Sequence, residues 1–220
     1  MQVDIYSDII CPWCYIGEHR FRRALALART PAIAATFRPF LLDPDAPAEP
    51  RPVLEYLQRK FGPGADAAIG NVARIAAQEG LPFRPETQLV VNTLNAHRVL
   101  RLALHRYSRE TQAELMRALF HAHFAEGANV ADHATLAAVA ARAAMDAAEV
   151  RALLSTDHGM AELQAELAKA TELGVRAVPT FVFDGRFALQ GAQPVETFLR
   201  VLNQVAEGSA PAAPAPHTLH

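Results

Sequence analysis

Two cysteines, Cys11 and Cys14, lie three positions apart near the start of the chain, and the sequence contains no others. A disulfide that closes so short a loop restricts the unfolded chain very little, so a purely structural cross-link is not expected. Secreted proteins that depend on disulfides use more cysteines and close longer loops. The spacing therefore favours a reactive dithiol pair.

The residues on either side of the pair predict a strand that runs directly into a helix. Residues 3–7 alternate apolar and polar side chains, and residues 13–28 carry apolar side chains at helical spacing. Cys11 would then stand at the helix N-terminus, where unpaired N–H groups and the helix dipole stabilise a thiolate. Pro12 suits the first turn, because no N–H is needed there. We therefore expect Cys11 to attack the substrate and Cys14 to resolve the mixed disulfide that results.

Two other interpretations of the cysteine pair are weaker. Half of a zinc site would need a second cysteine pair, and His19 is poorly placed to complete a tetrahedral set, so no metal is predicted. Inert buried cysteines are common, but a position between a strand and a helix is not typical of them. Trp13, between two reactive cysteines, is expected at the surface, where it would offer the substrate an apolar contact.

The rest of the chain predicts an α/β fold interrupted by helices. Residues 36–42 have the pattern of a second strand, and residues 178–190 predict a hairpin around Asp184-Gly185, followed by a helix over 194–205. Helical patterns lie between these segments, over residues 53–61, 65–78, 92–107, 111–125, 134–142 and 147–173. A βαβ unit and a ββα unit therefore form one layered structure, and the helices are an insertion.

This pattern also predicts where the domains begin and end. We expect one domain from residues 1–45 and 174–207, and a helical insertion domain over residues 46–173. Residues 208–220 are rich in Ala and Pro and are expected to be disordered.

Composition and charge argue against several classes of function. The net charge is −2 at pH 7, and no run of Lys or Arg suggests nucleic-acid binding. No uncharged apolar stretch is long enough to span a membrane. The N-terminal residues do not resemble a secretory signal, so a cytoplasmic protein is expected. The oligomeric state is left open.

Polar residues outside the pair are weaker candidates. Asp8 could receive or relay the proton of Cys14, or it could form a turn or a cap. Residues 92–98 could place Asn92, Asn95 or His97 against the active-site cleft; alternatively Asn92 or Thr93 caps a helix and His97 lies on its polar flank. His121 and His123 are two positions apart on a predicted helix, so we expect them to point to different sides and to be structural or solvated.

Several segments together resemble the DsbA-like branch of the thioredoxin superfamily, and most closely its FrnE-like group. The resemblance is carried above all by residues 8–17 (DIICPWCYIG), 38–44 (RPFLLDP), 92–98 (NTLNAHR) and 174–181 (GVRAVPTF). It implies a thioredoxin fold with a large helical insertion. It also implies that Val178–Pro179 is a cis-proline step facing the cysteines, which the spacing alone does not predict. The backbone of Val178 would there bind an extended substrate segment.

A related branch contains the glutathione-dependent 2-hydroxychromene-2-carboxylate isomerases and the kappa-type glutathione transferases. These enzymes typically have Ser where Cys11 stands, so the sequence favours a dithiol–disulfide oxidoreductase acting on protein or small-molecule thiols and disulfides. Catalysis is assigned to Cys11, Cys14 and Pro179, and substrate binding to Pro12, Trp13 and Val178. Glutathione is a possible co-substrate, and no tightly bound cofactor is predicted. The alternatives are a glutathione-dependent isomerase or transferase, and a redox-sensing or holdase binding protein.

Overall fold

The computed structural model describes residues 1–28, 33–47 and 49–208, which contain six strands and nine α-helices. None of these helices combines the length and the apolarity needed to cross a membrane. The helices are α1 (Pro12–Leu27), α2 (Val53–Phe61), α3 (Ala65–Gln78), α4 (Leu94–Leu102), α5 (Arg109–Phe124), α6 (His133–Arg142), α7 (Ala147–Leu154), α8 (Met160–Glu172) and α9 (Val195–Ala206). Short 3₁₀ turns cover Gly62–Gly64 and Pro85–Thr87, and a π-helical segment covers Ala103–Tyr107.

Both ends of the chain contribute to one four-stranded sheet. β1 (Gln2–Ser7) pairs in parallel with β2 (Ala34–Pro39) and antiparallel with β5 (Thr180–Phe183). A hairpin then joins β5 to β6 (Phe187–Gln190), so that the strand order is β2-β1-β5-β6. This is a thioredoxin fold, as the βαβ and ββα patterns and the resemblance together predict.

Aromatic side chains join the sheet to its two flanking helices. Phe21 of α1, Phe181 of β5 and Phe198 of α9 are buried and pack against one another, with ring centroids 4.7–5.4 Å apart. Rings at these separations add to the free energy gained by burying their surface. The first helix, which carries the cysteines, is thereby fixed against the sheet.

Helices α2 to α8 lie between the two parts of the sheet in the sequence. Their apolar side chains, including Leu119 and Phe120 of α5, pack in the same buried cluster as Val3 and Ile5 of β1. The division into domains at residues 45 and 173 stays a prediction. The predicted disordered tail lies outside the described residues, apart from Gly208.

The observed elements differ from the predicted ones at three places. The insertion contains two short paired strands that are not predicted, β3 (Arg51–Pro52) and β4 (Leu89–Val90). The helix predicted over 92–107 begins at Leu94 and changes to π-helical geometry after Leu102. The single helix predicted over 147–173 is wrong, since α7 and α8 are separated by residues 155–159.

Arg98 and Gly159 explain why that helix is interrupted. Gly159 has φ of 79°, a left-handed conformation that glycine adopts without strain. Arg98 of α4 is buried, and its guanidinium donates to the carbonyl oxygens of Leu153, Thr156 and His158 at the turn. These carbonyls would be paired within a continuous helix, so the arginine stabilises the break. The helical pattern of residues 147–173 does not contain that information.

Gln112 ties α5 to the sheet. Its buried side chain accepts a hydrogen bond from the Phe37 N–H at 2.9 Å and donates to the Phe37 carbonyl at 3.0 Å. Both backbone groups belong to β2, so the amide binds the strand as a neighbouring strand would.

We expect Arg98→Lys to lower the free energy of unfolding by roughly 2–4 kcal/mol, because an ammonium group cannot replace several buried guanidinium hydrogen bonds. Urea denaturation measures the change. Arg101→Lys is the matched control, since Arg101 pairs with Glu166 at 2.8 Å in a partly exposed position. Its expected loss is below about 1 kcal/mol. Equal losses in the two variants would contradict the role given to Arg98.

Candidate active site

The cysteine pair occupies the N-terminus of α1. Cys11 is the N-cap residue with an extended backbone (φ −86°, ψ 112°), and Pro12 begins the helix. The carbonyl of Cys11 accepts hydrogen bonds from the N–H groups of Cys14 and Tyr15, and its own N–H donates to the Asp8 carbonyl. Both cysteines are free thiols. The predicted position of the pair, between a strand and a helix, agrees with this arrangement.

Cys11 faces the segment that precedes β5. Its sulfur lies 3.8 Å from the carbonyl oxygen of Val178, and the Val178–Pro179 peptide bond is cis, as the resemblance implies. The ladder between β1 and β5 begins at Thr180, so Val178 lies outside it. The structure therefore brings the cysteine pair together with Val178 and Pro179, although Cys11 and Val178 are 167 positions apart in the sequence.

Cys14 faces the interior of the protein. It is 1% exposed, and burial raises the pKa of its thiol well above the ordinary value, with the neighbouring Cys11 thiol raising it further. The nearby Ser7 hydroxyl and the main chain of Asp8 act in the opposite direction and lower the pKa of this thiol. The Cys14 thiol is therefore protonated at neutral pH.

Gly17 allows α1 to approach the Pro179 segment closely. A Cβ atom at position 17 would lie 2.9 Å from Pro179 Cγ and 3.4 Å from Ala192 Cα. Neither a proline ring nor a backbone atom moves aside readily. The absence of a side chain at Gly17 thus sets the spacing between the cysteine helix and the cis-proline segment.

Pro12 and Trp13 are both half-buried. Trp13 is thus less exposed than predicted, because its ring packs against the main core and against a smaller cluster formed by Ile16, Val72, Ala76 and Ala192. Val72 and Ala76 belong to α3, so this cluster joins the cysteine helix to the insertion.

Asp8 and His97 form a buried contact beside the pair. Asp8 is fully buried, and its Oδ2 oxygen accepts the N–H of Leu42 at 2.7 Å. His97 Nε2 lies 3.1 Å from the Phe40 carbonyl and 3.4 Å from Asp8 Oδ1. Since a carbonyl can only accept, Nε2 carries a proton. His97 is 3% exposed, so it faces the site rather than the polar flank of α4.

The other polar residues of the 92–98 segment do not reach the cysteines. Asn92 accepts the Leu94 N–H through Oδ1 from the position before the N-cap, Thr93, whose own side chain makes no capping hydrogen bond. Asn95 contacts Arg98 and His133. Both side chains stabilise the insertion.

His121 and His123 point to different sides of α5, as their spacing predicts. His121 is exposed and lies 3.1 Å from Glu126, whereas His123 is 2% exposed and lies near Asp8. Burial lowers the pKa of His123 to about 4, although the charge of Asp8 acts against that shift. His123 is therefore neutral at physiological pH.

Ser7 is the polar neighbour of Cys14 that sequence reasoning missed. It is the last residue of β1, and its hydroxyl is buried. The signal in the sequence is a polar Ser7-Asp8 pair between the apolar strand and Ile9-Ile10. That signal is ambiguous, because serine and aspartate also form turns.

Fold and site together define a thioredoxin-fold protein with a dithiol pair opposite a cis-proline. The chain belongs to the family of DSBA-like thioredoxin domains, whose family model matches residues 2–203. No curated protein matches the chain at a significant level.

Solved structures extend this comparison. A probable DsbA oxidoreductase from Streptomyces coelicolor is 35% identical, with a TM-score of 0.85, over 99% of this chain and 94% of that one. A 2-hydroxychromene-2-carboxylate isomerase is 18% identical, with a TM-score of 0.69, over 96% of this chain and 100% of that one. The cytosolic disulfide reductase DsbM from Pseudomonas aeruginosa, solved with glutathione, is 18% identical, with a TM-score of 0.63, over 94% and 100% of the two chains. The last two show the fold alone.

We expect Gly17→Ala to lower the free energy of unfolding by roughly 1–3 kcal/mol, because the added methyl group overpacks the contact with Pro179. Gly70→Ala on α3 is the matched control, since a Cβ there meets nothing within 4 Å. Replacing an exposed helical glycine by alanine should raise stability by about 0.5–1 kcal/mol. Urea denaturation of both variants measures the two changes, and a stabilised Gly17→Ala protein would refute the packing argument.

His123 should make the stability depend on pH. Its pKa is about 4 in the folded protein and about 6.5 in the unfolded chain, so only the unfolded chain takes up a proton between those values. The stability it contributes is complete above pH 6.5 and is lost as the pH falls through 4, by about 3 kcal/mol in all. Denaturation at several pH values should show that the free energy of unfolding falls less at acid pH in His123→Leu than in wild type. His121→Leu should behave like wild type. Parallel curves for wild type and His123→Leu would exclude this role.

Proposed function

We propose that the protein is a dithiol–disulfide oxidoreductase that acts through a mixed disulfide on Cys11, resolved by Cys14. The proposal rests on the different surroundings of the two sulfurs. Both cysteines are buried, at 2% and 1% exposure, but Cys11 faces the Val178 carbonyl at the start of the cis-proline segment, whereas burial and the neighbouring Cys11 raise the pKa of the Cys14 thiol. The first position suits attack on a substrate, and the second suits a resolving thiol that stays protonated until it is needed.

The reaction consists of two exchanges. The Cys11 thiolate attacks a substrate disulfide, forms a bond to one sulfur and expels the other as a thiolate. Cys14, after losing its proton, attacks Cys11 and expels the remaining substrate thiolate. The substrate gains two electrons, and the cysteine pair becomes a disulfide. The same steps in reverse oxidise a dithiol substrate.

Substrate binding is assigned to Val178 and to the half-buried residues beside Cys11, namely Pro12 and Trp13. The backbone of Val178 lies outside the sheet ladder and next to the reacting sulfur, so an extended peptide or a small thiol could pair with it there. Trp13 would contribute apolar contact. Pro179 would hold this segment against α1.

Glutathione is proposed as a co-substrate that reduces the pair. A neighbour with the same fold, DsbM, has been solved with glutathione. The similarity to a 2-hydroxychromene-2-carboxylate isomerase supports a second candidate, a glutathione-dependent isomerase or transferase. The cysteine at position 11 favours the oxidoreductase. A cytoplasmic location would supply glutathione, and it stays a prediction.

We expect the wild-type protein to reduce a model protein disulfide in the presence of glutathione. Cys11→Ser should lose this activity completely, because the attacking sulfur is gone. Cys14→Ser should accumulate a mixed disulfide with the substrate or with glutathione, which mass spectrometry detects as a defined mass increase.

Two results separate the candidates. Full activity in Cys11→Ser would refute the proposed function. Glutathione-dependent turnover of a non-disulfide substrate that survives Cys14→Ser would favour the isomerase or transferase, since such chemistry needs no resolving thiol.

A further inference from the structure

A cleft of about 400 Å³ lies within the helical insertion, between α4 with its π-helical continuation and the turn that joins α7 to α8. This volume is within the range of roughly 300–1,000 Å³ that is usual for sites that bind small molecules. The cysteine pair and the cis-proline segment do not line the cleft. The proposed oxidoreductase function therefore leaves it without a role.

Most of the charged and titratable side chains that line the cleft are basic. They are Arg98, Arg101, His105, Arg106 and His158, and the carboxylate among the lining residues is Glu149. Both oxygens of Glu149 already have partners, since Oε1 accepts from Arg106 Nε at 3.1 Å and Oε2 accepts from the Tyr107 hydroxyl at 2.6 Å. The lining thus has cationic groups in excess of the carboxylate that it contains.

Arg98 is a buried cation without an ionic partner. Its residue is 3% exposed, and its guanidinium donates to the Asn95 side chain and to the three carbonyl oxygens of the α7–α8 turn. In the part of the chain that the structure describes, no carboxylate pairs with it. Its Nη1 donates to Asn95 alone, which leaves one of the two N–H groups on that nitrogen unused. Buried charges are normally paired, so an anion in the cleft would supply the missing counter-charge.

Arg101 lies beside the N-terminus of α8. Its Nη1 is 3.9 Å from the position that a Cβ atom on Gly159 would take, and Gly159 is the N-cap residue of that helix. The helix has no side-chain cap, so unpaired N–H groups and the positive end of its dipole lie next to the cation. These positive groups repel each other in the empty cleft. A phosphate between them would turn the repulsion into attraction, because helix N-termini and arginines both bind phosphate.

The outer ends of two arginines are available to such a ligand. Glu166 accepts from Arg101 Nε at 2.8 Å, and Glu149 accepts from Arg106 Nε. The terminal nitrogens of both guanidinium groups make no hydrogen bond within the described residues. Each arginine therefore keeps its carboxylate partner and still has donors left.

The cleft also has an apolar side, formed by Leu102, Ala152 and Leu153. An inorganic ion would leave this surface in contact with water, whereas an organic group would cover it. The adjoining segment, Ala103–Tyr107, is π-helical, a geometry that is rare and frequent at functional sites.

We infer that this cleft binds a small organic phosphate. The phosphate group is held by the terminal nitrogens of Arg101 and Arg106 and by the N-terminus of α8, and Arg98 adds a buried positive charge. The organic part lies against Leu102 and Leu153. A phosphate monoester carries nearly two negative charges and three acceptor oxygens, which matches this set of donors better than a single carboxylate does. The site is separate from the cysteine pair, so it does not depend on the proposed oxidoreductase function.

Calorimetric titration of the full chain with phenyl phosphate tests this inference, because that compound joins a dianionic group to an apolar ring. We expect saturable binding of one molecule per chain. Inorganic phosphate should bind at least about tenfold more weakly, since it has no ring to bury against the apolar side.

Two substitutions of Ala152, which is exposed on α7, isolate the effect of charge. Ala152→Glu brings a carboxylate to the cleft and should weaken phenyl phosphate binding at least about tenfold, because it competes for the arginines. Ala152→Gln adds a side chain of the same size without the charge. It should bind within about threefold of wild type, as an exposed substitution with little other effect.

A second pair of variants tests the arginines. Arg106→Gln should weaken binding at least about fivefold, since it removes a charged donor to the phosphate. Arg142→Gln is its control: Arg142 pairs with Glu126 at 2.7 Å on α6 and does not line the cleft, so this variant should bind like wild type.

Four results would overturn the inference. They are the absence of saturable phenyl phosphate binding to wild type, inorganic phosphate binding as tightly as phenyl phosphate, equal affinities of Ala152→Glu and Ala152→Gln, and equal affinities of Arg106→Gln and Arg142→Gln. The first would show that the cleft takes no such ligand, and the second that the organic part plays no role. The last two would show that the ligand binds elsewhere on the molecule.

Discussion

The antiparallel pairing of β1 with β5 determines where the chemistry can take place. In this ladder Tyr6 lies opposite Thr180, so the carboxyl end of one strand meets the start of the other. The residues that follow β1 and the residues that precede β5 must therefore come together at the same end of these two central strands. Cys11 and Val178 meet there at 3.8 Å. Any shift of register would separate the sulfur from the cis-proline segment.

The helical insertion contributes side chains to this end of the sheet. His97 from α4 contacts Asp8, His123 from α5 lies close by, and residues of α3 belong to the small cluster that Trp13 packs against. The shared hydrophobic cluster keeps these contacts fixed, because its close-packed side chains leave little room for movement. The insertion therefore contributes to the surroundings of Asp8 and Trp13, the residues next to the two cysteines.

The sequence predicts the parts of the site that depend on local pattern. A strand followed by Cys-x-x-Cys and an amphipathic helix places Cys11 at a helix N-terminus, and β1, α1, α2 and α3 lie close to their predicted positions. The sequence does not predict contacts made between distant segments. The role of Arg98 in ending α7, the burial of His97 and the position of Ser7 beside Cys14 all depend on tertiary packing. Local periodicity carries no record of such packing, so the interrupted helix and the buried polar side chains near the cysteines emerge only from the structure.

The two hydrogen bonds between Gln112 and β2 also affect whether copies of this chain can associate through their sheets. β2 is an edge strand, and exposed edge strands are places where another chain can add a strand. At Phe37 both outward backbone groups are already held by the glutamine amide, at 2.9 and 3.0 Å. An incoming strand would have to break both bonds and displace a buried side chain. Intermolecular growth of the sheet is thus obstructed on this side, by a single residue of a helix.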